Sequence, residues 1–139
     1  MTHHCKAVLL HCMDFRLPEE LIKFMRERGL LGDCDLPGLA GAAKTIADPT
    51  APEHQATAMD QIDLAVRLHG VRTVILMNHT DCGAYGGKEA FTTGEQERKR
   101  HTVDLKKARG IILRRFPGVE VQTFLAVVGE AHAISIIEV

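Results

Sequence analysis

The sequence contains no tryptophan, a single tyrosine and few aromatic residues altogether, and it has no long hydrophobic run. No apolar stretch approaches the roughly 20 residues that a membrane-spanning helix needs. The formal net charge of -1 gives no overall attraction to nucleic acids or to acidic membranes. Residues 98–115 are rich in Lys and Arg but have no aromatic side chains among them on which single-stranded bases would stack. We therefore expect no nucleic acid and no membrane partner, and we interpret the basic segment as a solvated helix face.

Internal repeats, low-complexity tracts and breaks in composition are also absent, and no N-terminal segment has the pattern of a secretory signal. A chain of 139 residues, 45% of them hydrophobic, is long enough to bury a core. We expect one domain over residues 1–139 and a cytoplasmic location. The four cysteines are then expected to be reduced thiols, and we expect a pair of them to bind a metal rather than to form a disulfide.

Short apolar runs alternate with longer amphipathic ones along the chain. Strands are predicted at 6–11, 33–36, 71–77 and 121–128, with an edge strand at 133–139. Helices are predicted from residue 18 to the glycine at 29, over 53–69 and over 95–116. Strands separated by helices of this length imply right-handed crossovers. The pattern predicts a three-layer α/β fold, in which a central sheet of about four parallel strands and one edge strand is flanked by helices.

Two short cysteine motifs follow the two clearest of these strands. Cys-x-Asp-x-Arg at 12–16 follows the first strand, and His-x-x-Cys-Gly at 79–83 follows the strand at 71–77. Ligands of such sheets bind beyond the carboxyl ends of the strands, so neighbouring strands would bring Cys12 to His79 and Cys82. Two thiolates and one imidazole are three of the four ligands that tetrahedral zinc prefers. A missing fourth ligand leaves a position for water or substrate, which predicts a catalytic zinc site.

Asp14 and Arg16 share a row with Cys12 if the backbone stays extended beyond the strand, while Met13 and Phe15 point the other way. An arginine can hold a carboxylate with two parallel hydrogen bonds and keep it ionised. An ionised carboxylate beside a zinc-bound water can accept a hydrogen bond from that water and orient it for attack. The alternative is a surface ion pair, worth at most about 1 kcal/mol. The position next to Cys12 favours the functional role.

These residues resemble the motifs of the β-class carbonic anhydrases, zinc enzymes that hydrate carbon dioxide, and the resemblance spans nearly the whole chain. Cys12, Asp14 and Arg16 match the Cys-x-Asp-x-Arg motif of that family. His79 and Cys82 match its His-x-x-Cys motif with the following glycine. The resemblance implies that Cys12, His79 and Cys82 bind zinc. It also implies that Asp14 either orients the metal-bound water or swings in as a fourth, inhibitory ligand, with Arg16 holding it in the active position.

The chain departs from the family pattern around the substrate pocket. Gly38 and Leu39 stand where the family has an Arg-Asn pair, and Leu64 takes a helix position that often carries a tyrosine. Phe15 replaces a smaller residue between the aspartate and the arginine. By resemblance, we expect the pocket to include Phe15, Leu39 and Gly83.

The resemblance implies reversible hydration of carbon dioxide to bicarbonate by a metal-bound hydroxide, with Zn2+ as the cofactor. Two alternatives stay open: a related zinc hydrolase that acts on carbonyl sulfide or carbon disulfide, and a non-catalytic zinc or thiol protein on the same scaffold. The family usually pairs its subunits near the active site, so a homodimer or a dimer of dimers is expected. Apolar residues after Pro117 support pairing, because one edge of a small sheet does not easily hide Phe124, Leu125, Val127, Ile134, Ile136 and Ile137.

Three further residue groups match no position of the motifs. Cys5 and Cys34 are interpreted as inert buried thiols. Cys5 together with His3 and His4 offers an adventitious metal site near the N-terminus. His11 should face away from the cysteine motif, as a hydrogen-bonded core histidine.

Overall fold

The computed structural model describes residues 3–139 as one mostly parallel sheet with helices on both faces. The strands are β1 (Ala7–His11), β2 (Cys34–Asp35), β3 (Thr73–His79), β4 (Glu120–Val128) and β5 (Ile134–Glu138). The helices are α1 (Pro18–Glu27), α2 (Lys44–Ala47), α3 (Pro52–His69) and α4 (Gly94–Arg115). Short 3-10 helices lie at Gly83–Tyr85, Lys88–Ala90 and Glu130–His132. Among the described residues, no helix is both long and apolar enough to cross a membrane.

The strands are arranged in the order β2-β1-β3-β4-β5. β1 and β3 pair in parallel, from Ala7 opposite Thr73 to His11 opposite Met77. β2 and β4 are parallel to their neighbours β1 and β3, and β5 is antiparallel to β4. The predicted three-layer α/β fold, with four parallel strands and an edge strand, is confirmed. Because β1 and β3 lie side by side and run the same way, their carboxyl ends meet at one edge of the sheet.

Both faces of the sheet are apolar, as parallel strands covered by helices require. One face packs against α2, α3 and α4 in a core that includes Val8, Leu10, Leu76, Ile62 and Leu105. The alternate residues of the same strands pack against α1 on the other face, in a core that includes Leu9, Ile75, Met77, Phe124 and Phe24. Two covered faces explain why β1 and β3 are continuous apolar runs without alternation.

The structure differs from the predicted elements in three places. α2 lies between the predicted strand at 33–36 and the predicted helix at 53–69 and was not predicted, because four residues are too few to show a helical period. β2 contains two residues rather than the four predicted at 33–36. β3 ends at His79, so this histidine belongs to the strand and not to the loop after it.

The backbone after β1 turns instead of staying extended to Arg16. The backbone N–H of Arg16 donates to Asp14 Oδ1 at 2.9 Å, which closes an Asx-type turn. The predicted alternation of side chains is still present. Cys12 is buried and the Asp14 and Arg16 side chains are largely covered, whereas Met13 is 71% exposed and Phe15 is 81% exposed.

The apolar residues after Pro117 are less exposed than the sequence predicted. Phe124 and Leu125 are buried in the chain's own core, because β4 is an inner strand between β3 and β5. On the edge strand β5, Ile134 and Ile136 are half-buried and Ile137 is exposed. The apolar edge therefore belongs to β5 alone.

Truncation of a core residue on β3 should destabilise the fold strongly. Leu76 is fully buried between the sheet and the helices, so Leu76→Ala is expected to lower the free energy of unfolding by about 3 kcal/mol. Leu31→Ala is the matched control, because Leu31 is largely exposed and its loss should cost less than about 0.5 kcal/mol. Urea denaturation of both variants measures the difference, and equal midpoints would contradict the packing described.

Candidate metal centre

Three side chains of ligand type meet where β1 and β3 end. Cys12 follows β1, His79 is the last residue of β3, and Cys82 precedes the 3-10 helix Gly83–Tyr85. One ligand atom from each of the three lies within 4.8 Å of the others, and all three residues are buried. The Cys12 and Cys82 sulfurs are 4.0 Å apart and both thiols are free. The structure therefore brings together the three residues that the sequence proposed as ligands, and their binding of zinc stays a prediction.

The geometry of these atoms fits a tetrahedral metal. Two sulfurs bound to one zinc at about 2.3 Å are about 3.8 Å apart in a tetrahedron, close to the spacing of Cys12 and Cys82. His79 Nδ1 lies 2.8 Å from the Thr80 carbonyl oxygen and must donate its proton there. His79 Nε2 is buried and has no hydrogen-bond partner among residues 3–139. The carbonyl thus fixes the tautomer that leaves a lone pair on Nε2, and metal-bound histidines are commonly oriented by such a hydrogen bond from their other ring nitrogen.

The pKa values of the Cys12 and Cys82 thiols are shifted in opposite directions. The pKa of Cys12 is lowered, chiefly because its sulfur accepts a hydrogen bond from the Cys82 thiol, and the Gly41 backbone N–H lowers it further. The pKa of Cys82 is raised, because it donates to Cys12 and is buried. The backbone N–H groups of Ala84 and Tyr85 act in the opposite direction and favour the Cys82 thiolate. One thiolate is therefore available at neutral pH, and a bound dication would displace the second proton.

Gly41 allows the loop before α2 to approach the loop that carries Cys82. Its φ of +85° lies in the left-handed region, and a Cβ at this position would be 3.0 Å from the Ala84 Cβ. The Leu39 backbone N–H donates to the His11 carbonyl at 2.9 Å, which fastens the same loop to the end of β1. A glycine at position 41 is therefore what lets a backbone N–H reach the Cys12 sulfur.

Arg16 holds two aspartates beside the ligands. Its Nε and Nη2 donate to the two oxygens of Asp14, each at 2.9 Å, and its Nη1 donates to Asp81 Oδ2 at 3.0 Å. The Arg16 hydrogen bonds lower the pKa of the Asp14 carboxyl to about 2. Asp14 Oδ2 lies 3.8 Å from His79 Nε2. An ionised carboxylate is thus fixed next to the ligand atoms.

The contacts of Asp81 were not predicted from the sequence. Besides accepting from the Arg16 side chain, Asp81 accepts a second Arg16 hydrogen bond at its carbonyl oxygen, at 2.9 Å. Its backbone N–H donates to Glu97 Oε2 at 2.6 Å, and its Oδ1 accepts from the Lys88 backbone N–H at 2.9 Å. Asp81 lies inside the motif at 79–83, but nothing in the sequence indicates that it faces Arg16, 65 residues away.

Behind the ligands, a buried polar network joins β3 to α4. Asn78 Oδ1 accepts from the Ala43 backbone N–H at 2.9 Å, and Asn78 Nδ2 donates to the Tyr85 hydroxyl at 3.0 Å. That hydroxyl donates to Asp104 Oδ2 at 2.7 Å. His101 Nδ1 lies 3.1 Å from Asn78 Nδ2, and burial lowers the pKa of His101 to about 4. The His101 imidazole is therefore neutral at pH 7, and the network ties the Ala43 backbone and Tyr85 to α4.

A signal for this network was present in the sequence. Glu97, His101 and Asp104 are spaced at i, i+4 and i+7 on α4, so they lie on one face of the helix. All three are buried. The basic residues of α4 say little about the site. The polar residues at a core-facing spacing are the pattern that indicates a buried network.

The predicted pocket residues Phe15, Leu39 and Gly83 have different surroundings in the structure. The exposed Phe15 ring lies 6.2 Å from the His132 ring, centroid to centroid. Leu39 packs against the core and lines a cavity of about 240 Å³ together with Ala40, Thr45, His54 and Thr57. Gly83 is exposed at the start of its 3-10 helix. A substrate pocket that includes these three residues stays a prediction.

Known proteins with similar structures share this fold. The chain superposes on a tetrameric β-carbonic anhydrase of the filamentous ascomycete Sordaria macrospora with a TM-score of 0.62 and 18% identity, covering 98% of this chain and 82% of that one. It superposes on the β-carbonic anhydrase CcaA with a TM-score of 0.57 and 14% identity, covering 96% of this chain and 80% of that one. At these identities the likeness establishes the fold.

Sequence comparison establishes the family. An uncharacterized protein of Rickettsia bellii is 36% identical over 126 residues, which cover 88% of this chain and 77% of the relative. An uncharacterized protein of Rickettsia conorii is 34% identical over 126 residues, which cover 88% of this chain and 68% of the relative. The family model described as "Putative carbonic anhydrase" matches residues 2–137. The chain therefore belongs to this carbonic anhydrase family, and its fold is that of the β-carbonic anhydrases.

Proposed function

We propose that this protein catalyses the reversible hydration of carbon dioxide to bicarbonate, with zinc held by Cys12, His79 and Cys82. The observation that carries the proposal is the buried, unpartnered His79 Nε2 beside two thiols, with an ionised carboxylate next to them. Zinc bound there would lower the pKa of a coordinated water to about 7 and so supply a nucleophile at neutral pH. Three protein ligands leave the fourth position that this chemistry needs.

Asp14 and Arg16 have separate roles in this proposal. Asp14 is ionised and lies next to His79. It accepts a hydrogen bond from the attacking water and so directs a lone pair of the water oxygen at the carbon of the substrate. Arg16 positions that carboxylate with two hydrogen bonds and is itself held by Asp81. The proton released by hydration passes to buffer or solvent.

The same ligand set serves chemistry on carbonyl sulfide or carbon disulfide, so substrate choice needs its own test. Isotope exchange between labelled bicarbonate and water, and sulfide release from the two sulfur compounds, should be measured on the same zinc-loaded sample. We expect rapid exchange and little sulfide. Sulfide release without exchange would assign the site to the sulfur compounds, and neither reaction would indicate a non-catalytic zinc protein.

Activity is expected to fall as pH drops from about 9 to 6, because the nucleophile becomes protonated near pH 7. Asp14 does not cause this fall, since a carboxyl whose pKa is lowered to about 2 stays ionised over the whole range. Initial hydration rates between about pH 6 and 9 measure the profile. A flat profile down to about pH 6 would contradict the proposed nucleophile.

The ion pair between Asp14 and Arg16 affects stability at lower pH. It stabilises the fold fully above the unfolded carboxyl pKa of about 3.9, and this stabilisation is lost as pH falls through the folded pKa of about 2.

We further propose that the protein acts as a homodimer or a dimer of dimers. Met13 and Phe15 are large, apolar and exposed beside the candidate metal centre, and β5 presents Ile137 on an unpaired sheet edge. Exposed apolar edges favour pairing, and a two-fold dimer is the commonest closed arrangement. Light scattering at micromolar concentration should give at least twice the chain mass. An active monomer under these conditions would contradict the proposal.

A further inference from the structure

A second group of ligand-type side chains lies beside the start of β1, away from the cysteine motifs. Cys5, Asp35 and His69 each offer one ligand atom, and these atoms lie within 4.8 Å of one another. All three residues are half-buried. They come from three separate segments: the residues before β1, the end of β2 and the last turn of α3. No pattern in the sequence connects Cys5 with Asp35 or His69.

The backbone fixes these three residues relative to one another. The Cys5 backbone N–H donates to the His69 carbonyl at 3.1 Å. β1 and β2 pair so that Val8 lies opposite Asp35, and the Lys6 backbone N–H donates to the Asp33 carbonyl at 3.1 Å. Main-chain hydrogen bonds therefore hold the segments that carry the three residues next to one another.

Two more imidazoles lie close to this group. The His3 ring is 6.4 Å from the His69 ring, centroid to centroid, and His4 Nδ1 lies 3.2 Å from the place where a Cβ on Gly70 would be. A hydrogen bond of 2.7 Å between His69 Nδ1 and Asp35 Oδ2 explains the meeting of those two residues alone. This hydrogen bond does not explain why the Cys5 thiol lies close to both residues, or why His3 and His4 come directly before Cys5 in the chain.

The three residues are partly exposed to solvent. Cys5 lines a cleft of about 450 Å³, whereas Asp35 and His69 line a separate one of about 380 Å³.

A thiolate, imidazoles and one carboxylate suit zinc, whereas magnesium and calcium prefer oxygen ligands throughout. A site with four protein ligands is closed and therefore structural.

We propose that Cys5, Asp35 and His69 form a second, structural zinc site, completed by an imidazole of the adjacent pair His3 and His4. On binding, the Cys5 thiol releases its proton to solvent and its sulfur bonds to the metal. The bound ion would fasten the segment before β1 to the end of α3 and to β2. This site is independent of the proposed catalytic function, since none of its ligands belongs to the cysteine motifs.

Zinc content tests this site through a pair of matched cysteine variants. Cys5→Ser removes the thiol from the group, and Cys34→Ser removes a neighbouring half-buried thiol outside it. After equilibration with a modest excess of zinc and gel filtration, Cys5→Ser should hold about one zinc per chain fewer than the wild type, and Cys34→Ser should match the wild type. Equal zinc content in Cys5→Ser and the wild type overturns the proposal.

Two further measurements keep the result interpretable. His69→Gln should show the same loss of about one zinc per chain, which separates ligand removal from any local effect of changing Cys5. The difference should persist in a Cys12→Ser, Cys82→Ser background, so that it does not depend on occupancy of the first site. With cobalt as the probe, Cys5→Ser should lose part of the thiolate-to-cobalt absorption. An unchanged spectrum contradicts the site.

Discussion

A chain in which both Cys12 and Cys82 are replaced by serine is expected to lose about one zinc and to hydrate carbon dioxide no faster than buffer. The two substitutions leave His79 as the only one of the three ligands, and a single imidazole does not hold zinc against dilution. The spacing of the two sulfurs, 4.0 Å, and the unpartnered His79 Nε2 are the observations behind this expectation. Zinc analysis and hydration rates on the same preparations measure the two effects.

The control for this variant is Cys34→Ser, which removes a free thiol that lies outside the site. It should retain the zinc content and the hydration rate of the wild type. Circular dichroism should show that the double variant keeps its helices, because both cysteines lie in loops at the edge of the sheet. A folded double variant with the zinc content of the wild type would contradict the ligand assignment.

Loss of Arg16 should abolish most activity while zinc stays bound. Arg16→Leu removes the two side-chain hydrogen bonds to the Asp14 carboxylate, which lies 3.8 Å from His79 Nε2, and keeps only the one from the backbone N–H of residue 16. The carboxylate can then turn into the fourth ligand position. We expect hydration to slow by about 10²-fold or more, which is the usual scale for a lost positioning or proton-accepting group. Hydration rates and zinc content distinguish this effect from loss of the metal.

Two comparisons test whether Arg16 acts through Asp14. Arg67→Leu breaks an exposed ion pair with Asp63 far from the site and should leave the rate unchanged. Adding Asp14→Ala to Arg16→Leu removes the carboxylate that would block the fourth position, so the double variant should be no slower than Arg16→Leu alone. Wild-type rates in Arg16→Leu would contradict a positioning role.

The ligand set could be proposed from the sequence because of a general property of parallel sheets. Continuous apolar runs identified β1 and β3 as buried strands, and the carboxyl ends of neighbouring parallel strands meet at one edge. Cys12 and Cys82 follow these strands, so their meeting needed only the correct strand order. The structure has that order.

The supporting contacts could not be predicted in the same way. The hydrogen bonds from Arg16 to Asp81 and from Asp81 to Glu97 join loops and a helix that no local pattern relates. α2 is too short for a period, and the turn after β1 depends on an Asp14 side chain that bonds its own backbone. Burial of Phe124 followed from strand order rather than from composition, since an inner strand hides what an edge strand would expose.

Stopped-flow measurement of carbon dioxide hydration by the zinc-loaded protein, between about pH 7 and 9, tests the central claim most directly. The wild type and Cys34→Ser should both accelerate hydration well above the buffer rate, and the rate should rise with pH. The Cys12→Ser, Cys82→Ser variant should match buffer alone. A zinc-loaded, folded wild type that gives no rate above buffer at any pH in this range would contradict the proposed function.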